Sequence, residues 1–303
     1  MDQLLKFSFA PNPIRGEIVQ LRDVWQRMIR NHDYPSAVVS LLGQATAATA
    51  LLASNLKFEG SLSLHIHGDG PLKLLVAECS STLGLRATAK VEAGAHIEPN
   101  AELNALVNVH GGARCVLTLD TRNRLPYQGI VALSGNSIAQ AIEAYMQTSE
   151  QLETRLWLSA DAFTASGLLL QKLPQDGGRL GAFALPESDQ DAWNRLAVLA
   201  GTLSPQEQLT MPPQEQVHKL FWQERISAGQ VLRPRFECRC SRERVGRMLL
   251  TLGEAEIQSI LQEQGSVTVT CDFCNGQQQF DAVDVGELFA TGSNAGADSN
   301  RSQ

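Results

Sequence analysis

Apolar and polar residues alternate through Leu62, Leu64 and Ile66, set between Ser61, Ser63, His65 and His67, and this period of two predicts a strand with one apolar face. Gly68-Asp-Gly-Pro71 supplies turn chemistry and Leu72, Leu74 and Val76 follow, so the stretch reads as a hairpin. Upstream, Ile18, Val19 and Leu21 mark a strand, after which residues 24–29 change to a helical spacing. Further strands are predicted at residues 85–91, 113–119, 129–133, 155–159 and 167–170. Ser137-Ile-Ala-Gln140 reads as a capping box, opening a helix with Ile138, Ala141, Ile142, Tyr145 and Met146 on one face. Strands in runs with a few inserted helices predict an α+β fold for residues 1–180.

One segment breaks the amphipathic pattern. Residues 34–56 carry no charge, which approaches the length of a membrane span. Ser36, Ser40, Gln44, Thr46, Thr49 and Ser54 interrupt this Ala-rich run, and no strongly apolar window is sustained, so it reads as a buried helix and no membrane association is expected.

After Pro174 the texture changes. Asp176-Gly-Gly-Arg179 breaks the order, and short capped helices follow. Ser188-Asp-Gln-Asp191 precedes Ala192, Trp193, Leu196, Leu199, Ala200 and Leu203 on one helical face, with Gly201 near its end. Ser204 caps a second helix with Pro205 at its first position, and Val217, Leu220 and Phe221 form a third apolar stripe. Helices this short are marginal in water and need a surface to lie on. Residues 181–231 are therefore read as an amphipathic helical linker, 232–288 as a small C-terminal zinc-binding domain, and 289–303 as a disordered tail.

The chemistry lies in the small domain. Cys238 and Cys240 form a C-x-C pair and Cys271 and Cys274 a C-x-x-C pair. Four thiolates brought to one point suit a tetrahedral Zn²⁺, yet neighbours at this spacing can also close disulfides, so metal and redox chemistry compete for the same atoms. Between the pairs, two short helices split at Leu252-Gly-Glu254 and a strand at 267–270 make a thin core that ligation would reinforce. Arg233, Arg235, Arg239, Arg242, Arg244 and Arg247 outweigh Glu237 and Glu243 in the same segment, and positive neighbours favour thiolate. Many of these arginines also fit a plain solvated face.

Charge and composition narrow the classes. A net charge of −7 argues against a protein whose main task is wrapping nucleic acid. Six cysteines in 303 residues are too few for a disulfide scaffold, and the N-terminus lacks the pattern of a signal peptide, so a reducing cytoplasm is expected. Cys79 and Cys115 lie in apolar strand surroundings and read as inert buried thiols. His65 and His67 share a strand face with no third metal ligand in view.

The chain resembles the redox-regulated 33-kilodalton heat-shock chaperone family of bacteria, the zinc-containing holdases. The likeness runs through Ala53-Ser-Asn-Leu-Lys-Phe58, Gly68-Asp-Gly-Pro71, Tyr127-Gln-Gly-Ile-Val131, Tyr145 with Ser149-Glu-Gln-Leu152, Gly167-Leu-Leu-Leu-Gln-Lys-Leu-Pro174, and both cysteine pairs. The resemblance implies an ATP-independent chaperone and no enzymatic activity, inactive while reduced with one Zn²⁺ per chain on Cys238, Cys240, Cys271 and Cys274. It implies that oxidation joins Cys238 to Cys240 and Cys271 to Cys274, releases zinc and unfolds the linker. The active form would be a homodimer that holds unfolding clients and hands them to an ATP-driven chaperone system. The chain departs from the family pattern at Asn275 and at Gln278, where an aromatic is common and Phe280 lies close by. Two other readings use the same cysteines: a nucleic-acid-binding zinc module with Arg239, Arg242, Arg244 and Arg247 as its phosphate patch, and a thiol oxidoreductase acting through Cys271 and Cys274. Net charge opposes the first, and the lack of a thioredoxin-like strand-to-helix setting opposes the second.

Overall fold

A computed structural model describes residues 1–122, 125–133, 135–174 and 188–295, and the Asp176-Gly-Gly-Arg179 break lies outside them. In chain order the elements are β1 (Gln3–Phe9), β2 (Ile14–Leu21), α1 (Asp23–Ile29), α2 (Ser36–Ser54), β3 (Gly60–His67), β4 (Leu72–Ser80), β5 (Gly84–Val91), α3 (Leu103–Val107), β6 (Arg114–Thr121), β7 (Tyr127–Val131), α4 (Ile138–Thr148), β8 (Thr154–Ala160) and β9 (Ala165–Lys172). Then come α5 (Ser188–Gly201), α6 (Pro205–Thr210), α7 (Pro213–Phe221), β10 (Ile226–Leu232) and β11 (Arg235–Phe236), and last α8 (Arg242–Leu252), α9 (Glu254–Gln264), β12 (Val267–Thr270), β13 (Gln277–Phe280) and α10 (Ala282–Ala295). The architecture is α+β, in two compact units, residues 1–237 and 238–303.

The first unit holds two sheets, ordered β10-β1-β2-β9-β8 and β11-β5-β4-β3-β6-β7. Every pairing is antiparallel except that of β11 with β5. Helix α2 packs on strands of both sheets, and 83% of its most apolar window is buried by protein. Its small residues explain this placement: Ala45, Ala47, Ala48 and Ala50 are fully buried, and Gly43 lets Ala160 and Trp25 close in where a Cβ would clash. Thr46 and Thr49 satisfy their hydroxyls on the helix's own carbonyls of Leu42 and Ala45, so neither opens a polar gap in the core.

At the centre of the five-stranded sheet, β2 and β9 are buried on both faces. Val19, Leu21 and Leu169 face the α2 core, while Ile18, Leu168 and Leu170 face a second core formed with α5 and α7. Trp193, Leu196 and Ala200 of α5 and Val217, Leu220 and Phe221 of α7 supply its outer half, the stripes expected from the sequence. Polar bonds fix this layer: the Gln20 amide donates to the carbonyls of Gln208, Leu209 and Met211 at 3.2, 3.2 and 3.0 Å, and the Gln208 amide donates to the Trp157 carbonyl at 2.8 Å. Ser204 and Glu207 form the reciprocal capping box of α6.

Several expectations need revision. Residues 3–9, unassigned from sequence, form β1, which carries Phe7 and Phe9 into the second core. The Ser137 hydroxyl accepts from the Gln140 N–H, but the Gln140 side chain reaches back to the N–H of Asn136, so only half of the capping box forms. Residues 226–237, divided between linker and zinc domain in the sequence reading, are β10 and β11, paired to β1 and β5 of the first unit. Residues 289–295, read as tail, continue helix α10, and 296–303 lie outside the described residues.

Candidate metal centre

The four cysteines of the second unit sit on two short backbone features. Cys238 and Cys240 precede Ser241, whose hydroxyl accepts from the Arg244 N–H and starts α8. Cys271 and Cys274 lie on the turn joining β12 to β13, which is closed by the Cys271 N–H to the Gly276 carbonyl at 2.9 Å and by the Asn275 N–H to the Cys271 carbonyl at 2.8 Å. Asn275 takes φ 57, a left-handed conformation that asparagine tolerates, and a Cβ on Gly276 would lie 3.3 Å from the Cys274 Sγ. Neither turn requirement was seen in the sequence, although Asn-Gly directly after a C-x-x-C is the dipeptide such a turn favours.

The sulfurs converge. Cys238 Sγ is 3.3 Å from Cys240 Sγ and 3.6 Å from Cys271 Sγ, Cys240 Sγ is 3.4 Å from Cys274 Sγ, and all four lie within 4.8 Å of one another. Metal–sulfur bonds of about 2.3 Å in tetrahedral array require S···S edges of about 3.8 Å, so the set is spaced for a four-coordinate ion. Burial above all, with the neighbouring thiols, pushes the Cys238 thiol well up, and Cys240 is raised for the same leading reason. Burial opposes ionisation of Cys271 too, but the N–H groups of Cys274 and Phe273 and the adjacent sulfurs outweigh it and hold its pKa below the usual thiol value. Ionisation is thus favoured at Cys271 and opposed at Cys238 and Cys240, and four thiolates together need a cation at the centre.

Around this centre the unit is thin: Leu249, Ile257, Leu261, Val267, Phe280 and Val285 are the buried apolar residues among those described. Phe280 fills the core, and Gln278 pairs with Val269 across the β12–β13 ladder at its edge. Arg242 lies 4.2 Å over the Phe280 ring, pairs with Asp284 at 2.6 Å and donates to the Gln279 carbonyl at 2.7 Å. In the first unit Arg235 bonds Glu237 and Thr82. These two arginines thus tie down backbone and carboxylates, and their bonds do not go to sulfur.

The other candidates are placed as follows. Cys79 and Cys115 are buried in the first unit, and burial pushes each thiol up to about 12, which makes both poor nucleophiles. The His65 and His67 rings stack at 6.3 Å, His65 meets the Ser63 hydroxyl at 3.1 Å, and among the described residues no third ligand joins them. Burial first, then the charge of His67, lowers the His65 pKa.

Comparison with known proteins agrees with this geometry. The family model "Hsp33 protein" matches residues 2–281. A "33 kDa chaperonin" from Methylobacillus flagellatus is 43% identical over 295 residues, covering 96% of this chain and 95% of the relative, and one from Nitrosococcus oceani is 42% identical over 288 residues, covering 95% and 94%. The crystal structure of the 33 kDa chaperonin (heat shock protein 33 homolog) from Thermotoga maritima has the same fold, with a TM-score of 0.78 at 19% identity over 97% of this chain and 99% of that one. With the family model spanning nearly its whole length, and a C-terminal cysteine cluster positioned to bind a metal ion, the chain belongs to the Hsp33 family of chaperones.

Proposed function

We propose that the chain is a redox-regulated, ATP-independent holdase of the cytoplasm whose switch is one zinc ion on Cys238, Cys240, Cys271 and Cys274. The carrying observation is the convergence of four sulfurs within 4.8 Å in a unit with six buried apolar side chains among its described residues. When bound, the ion supplies a crosslink worth on the order of 10 kcal/mol, more than so small a core provides by itself. In the reduced state the four thiolates hold the second unit folded. Oxidation by peroxide joins Cys238 to Cys240 and Cys271 to Cys274: each new S–S bond releases two electrons, which with two protons reduce one peroxide to two waters. The sulfurs then cease to be ligands, and metal and stability leave together.

The client surface follows from the first unit. Helices α5, α6 and α7 are 14, 6 and 9 residues long, and what they cover is an apolar sheet face bearing Phe7, Phe9, Ile14, Ile18, Leu168 and Leu170. Freed from the sheet, short helices of this kind unfold, and both their own stripe and the sheet face become available to unfolding proteins. The exposed apolar faces also provide a basis for the active homodimer, which passes clients to an ATP-driven system.

The test is aggregation of a denatured client followed by light scattering, with zinc read by a chromophoric chelator. Reduced protein is expected to carry one zinc and leave aggregation unchanged. Peroxide with mild heat should release the zinc and bring on suppression. Suppression that is equal in both states, or absent after the zinc has gone, refutes the proposal.

A further inference from the structure

Stretches that carry the family resemblance outside the cysteine pairs meet around one cavity in the first unit. Leu56 comes from the 53–58 stretch, Tyr127 from 127–131, Tyr145 and Glu150 from the stretch at 145–152, and Gln171 from 167–174. No cysteine lines this space, and the redox chemistry makes no use of it.

The cavity measures about 400 Å³, within the range of small-molecule sites. Its floor is apolar and closed, since Leu62, Leu117 and Leu169 are buried, while Leu56 and Tyr127 at its mouth are 44% and 57% exposed. Its shape is held by side-chain bonds. The Tyr145 hydroxyl bonds Tyr127 and donates to Glu150 Oε1 at 2.8 Å, and its ring lies against Gly129, where a Cβ would come within 2.2 Å of that hydroxyl. Gln151, at φ 56, turns the chain so that the Leu152 N–H reaches the Met146 carbonyl at 2.9 Å.

One group in the lining is chemically unfinished. Arg15 enters from β2, and its Nη2 donates to Gln171 Oε1, but its Nε is buried with no acceptor. Its side-chain bond goes to a neutral amide, so the guanidinium reaches the cavity wall without a bonded carboxylate. Glu17 acts on Arg15 through space, yet it is bonded to Lys6 at 3.3 Å and to the Ser54 hydroxyl at 2.5 Å. Glu150 is exposed at the mouth, where water solvates it, and already accepts from Tyr145. A partly desolvated guanidinium beside a leucine floor suits a carboxylate carried on an apolar chain.

We propose that this cavity binds a small amphipathic anion, a single carboxylate on an unbranched apolar chain, with the carboxylate on Arg15 and the chain along Leu62, Leu117 and Leu169. The test is calorimetric titration of the reduced, full-length, zinc-loaded protein with octanoate and with octanol. Octanoate should bind once per chain and more tightly than octanol. Arg15→Gln should weaken octanoate roughly tenfold, as expected for one charge-assisted bond, and leave octanol unchanged. Leu119→Trp, filling the wall, should abolish both while circular dichroism and thermal melting report an intact fold. The proposal is overturned if octanoate does not bind, if wild-type protein does not prefer it to octanol, or if folded Arg15→Gln or Leu119→Trp protein binds it as before.

Discussion

Phe221→Ala separates docking of the linker from stability of the sheet beneath it. Phe221 is fully buried at the end of α7, edge-on to Phe9 at 5.0 Å and 81°, and 6.0 Å from Phe7. Truncating a buried phenylalanine costs about 3–5 kcal/mol, of which each aromatic pair contributes about 0.5–1.5 kcal/mol. Most of that cost falls on α7. Its nine residues cannot hold a helix alone, whereas β1 and β2 keep their full ladder of hydrogen bonds without Phe221. At about 1.4 kcal/mol per tenfold, the undocked population rises roughly 10²- to 10³-fold. The Gln20 bonds to the carbonyls of residues 208, 209 and 211 are untouched, so opening should be confined to α7. The assay is amide hydrogen exchange on reduced, zinc-loaded protein, with client light scattering in parallel. Exchange at residues 213–221 should quicken by that factor while β1 and β2 keep their protection, and client aggregation should be suppressed without any oxidant. If protection falls equally across the first unit, α7 is not a separately releasable element. If α7 opens and aggregation is unchanged, the surface it covers is not where clients bind.

Two further outcomes follow from single positions. Gly129→Ala places a Cβ 2.2 Å from the Tyr145 hydroxyl and 2.6 Å from its ring, which should cost about 1–3 kcal/mol in urea denaturation, and adding Tyr145→Phe should recover part of it by removing the hydroxyl. Glu17 is buried, and burial raises its pKa despite the Ser54 hydroxyl and Lys6. The folded state therefore holds this proton more tightly than the unfolded chain, so its contribution is complete below pH about 4.5 and is lost as pH rises through the raised value. Glu17→Gln, which keeps an acceptor for Ser54, should flatten that decline when stability is measured at pH 5 and at pH 8.

What could be read from the sequence follows its physical causes. Period-two runs with clear turns gave β3, β4 and most other strands, and the charge-free Ala-rich run gave a helix buried from both sides. The strand at residues 3–9 is legible in part, since Leu5, Phe7 and Phe9 alternate with Lys6 and Ser8; Leu4, which turns to the other core, blurs the start of that period. Residues 226–232 gave no apolar face because β10 is a largely exposed edge strand, defined by its pairing with β1. Short pairings such as β11 with β5 are decided by partners far along the chain, and no local pattern announces them. The four thiols stood out through spacing alone, but the Asn275 turn that aims two of them required coordinates.

The two units differ in what holds them, and that difference bears on where the proposed switch would sit. In the first unit a broad core spans two sheets and α2, and its cysteines are shielded: Cys79 and Cys115 have their thiols pushed up by burial, so an oxidant finds little thiolate there. Among the described residues of the second unit six apolar side chains are buried, and the four cysteines are only partly covered. Oxidising a shielded thiol in a thick core would require the core to open first, at a cost near its whole stability. On the proposed reading, in which the four thiols hold a metal that supports a thin core, oxidising a partly covered thiol would require no prior opening and would act at once. On that reading accessibility and structural dependence would coincide in the small unit, so oxidation there would change its fold without the oxidant having to reach the larger one.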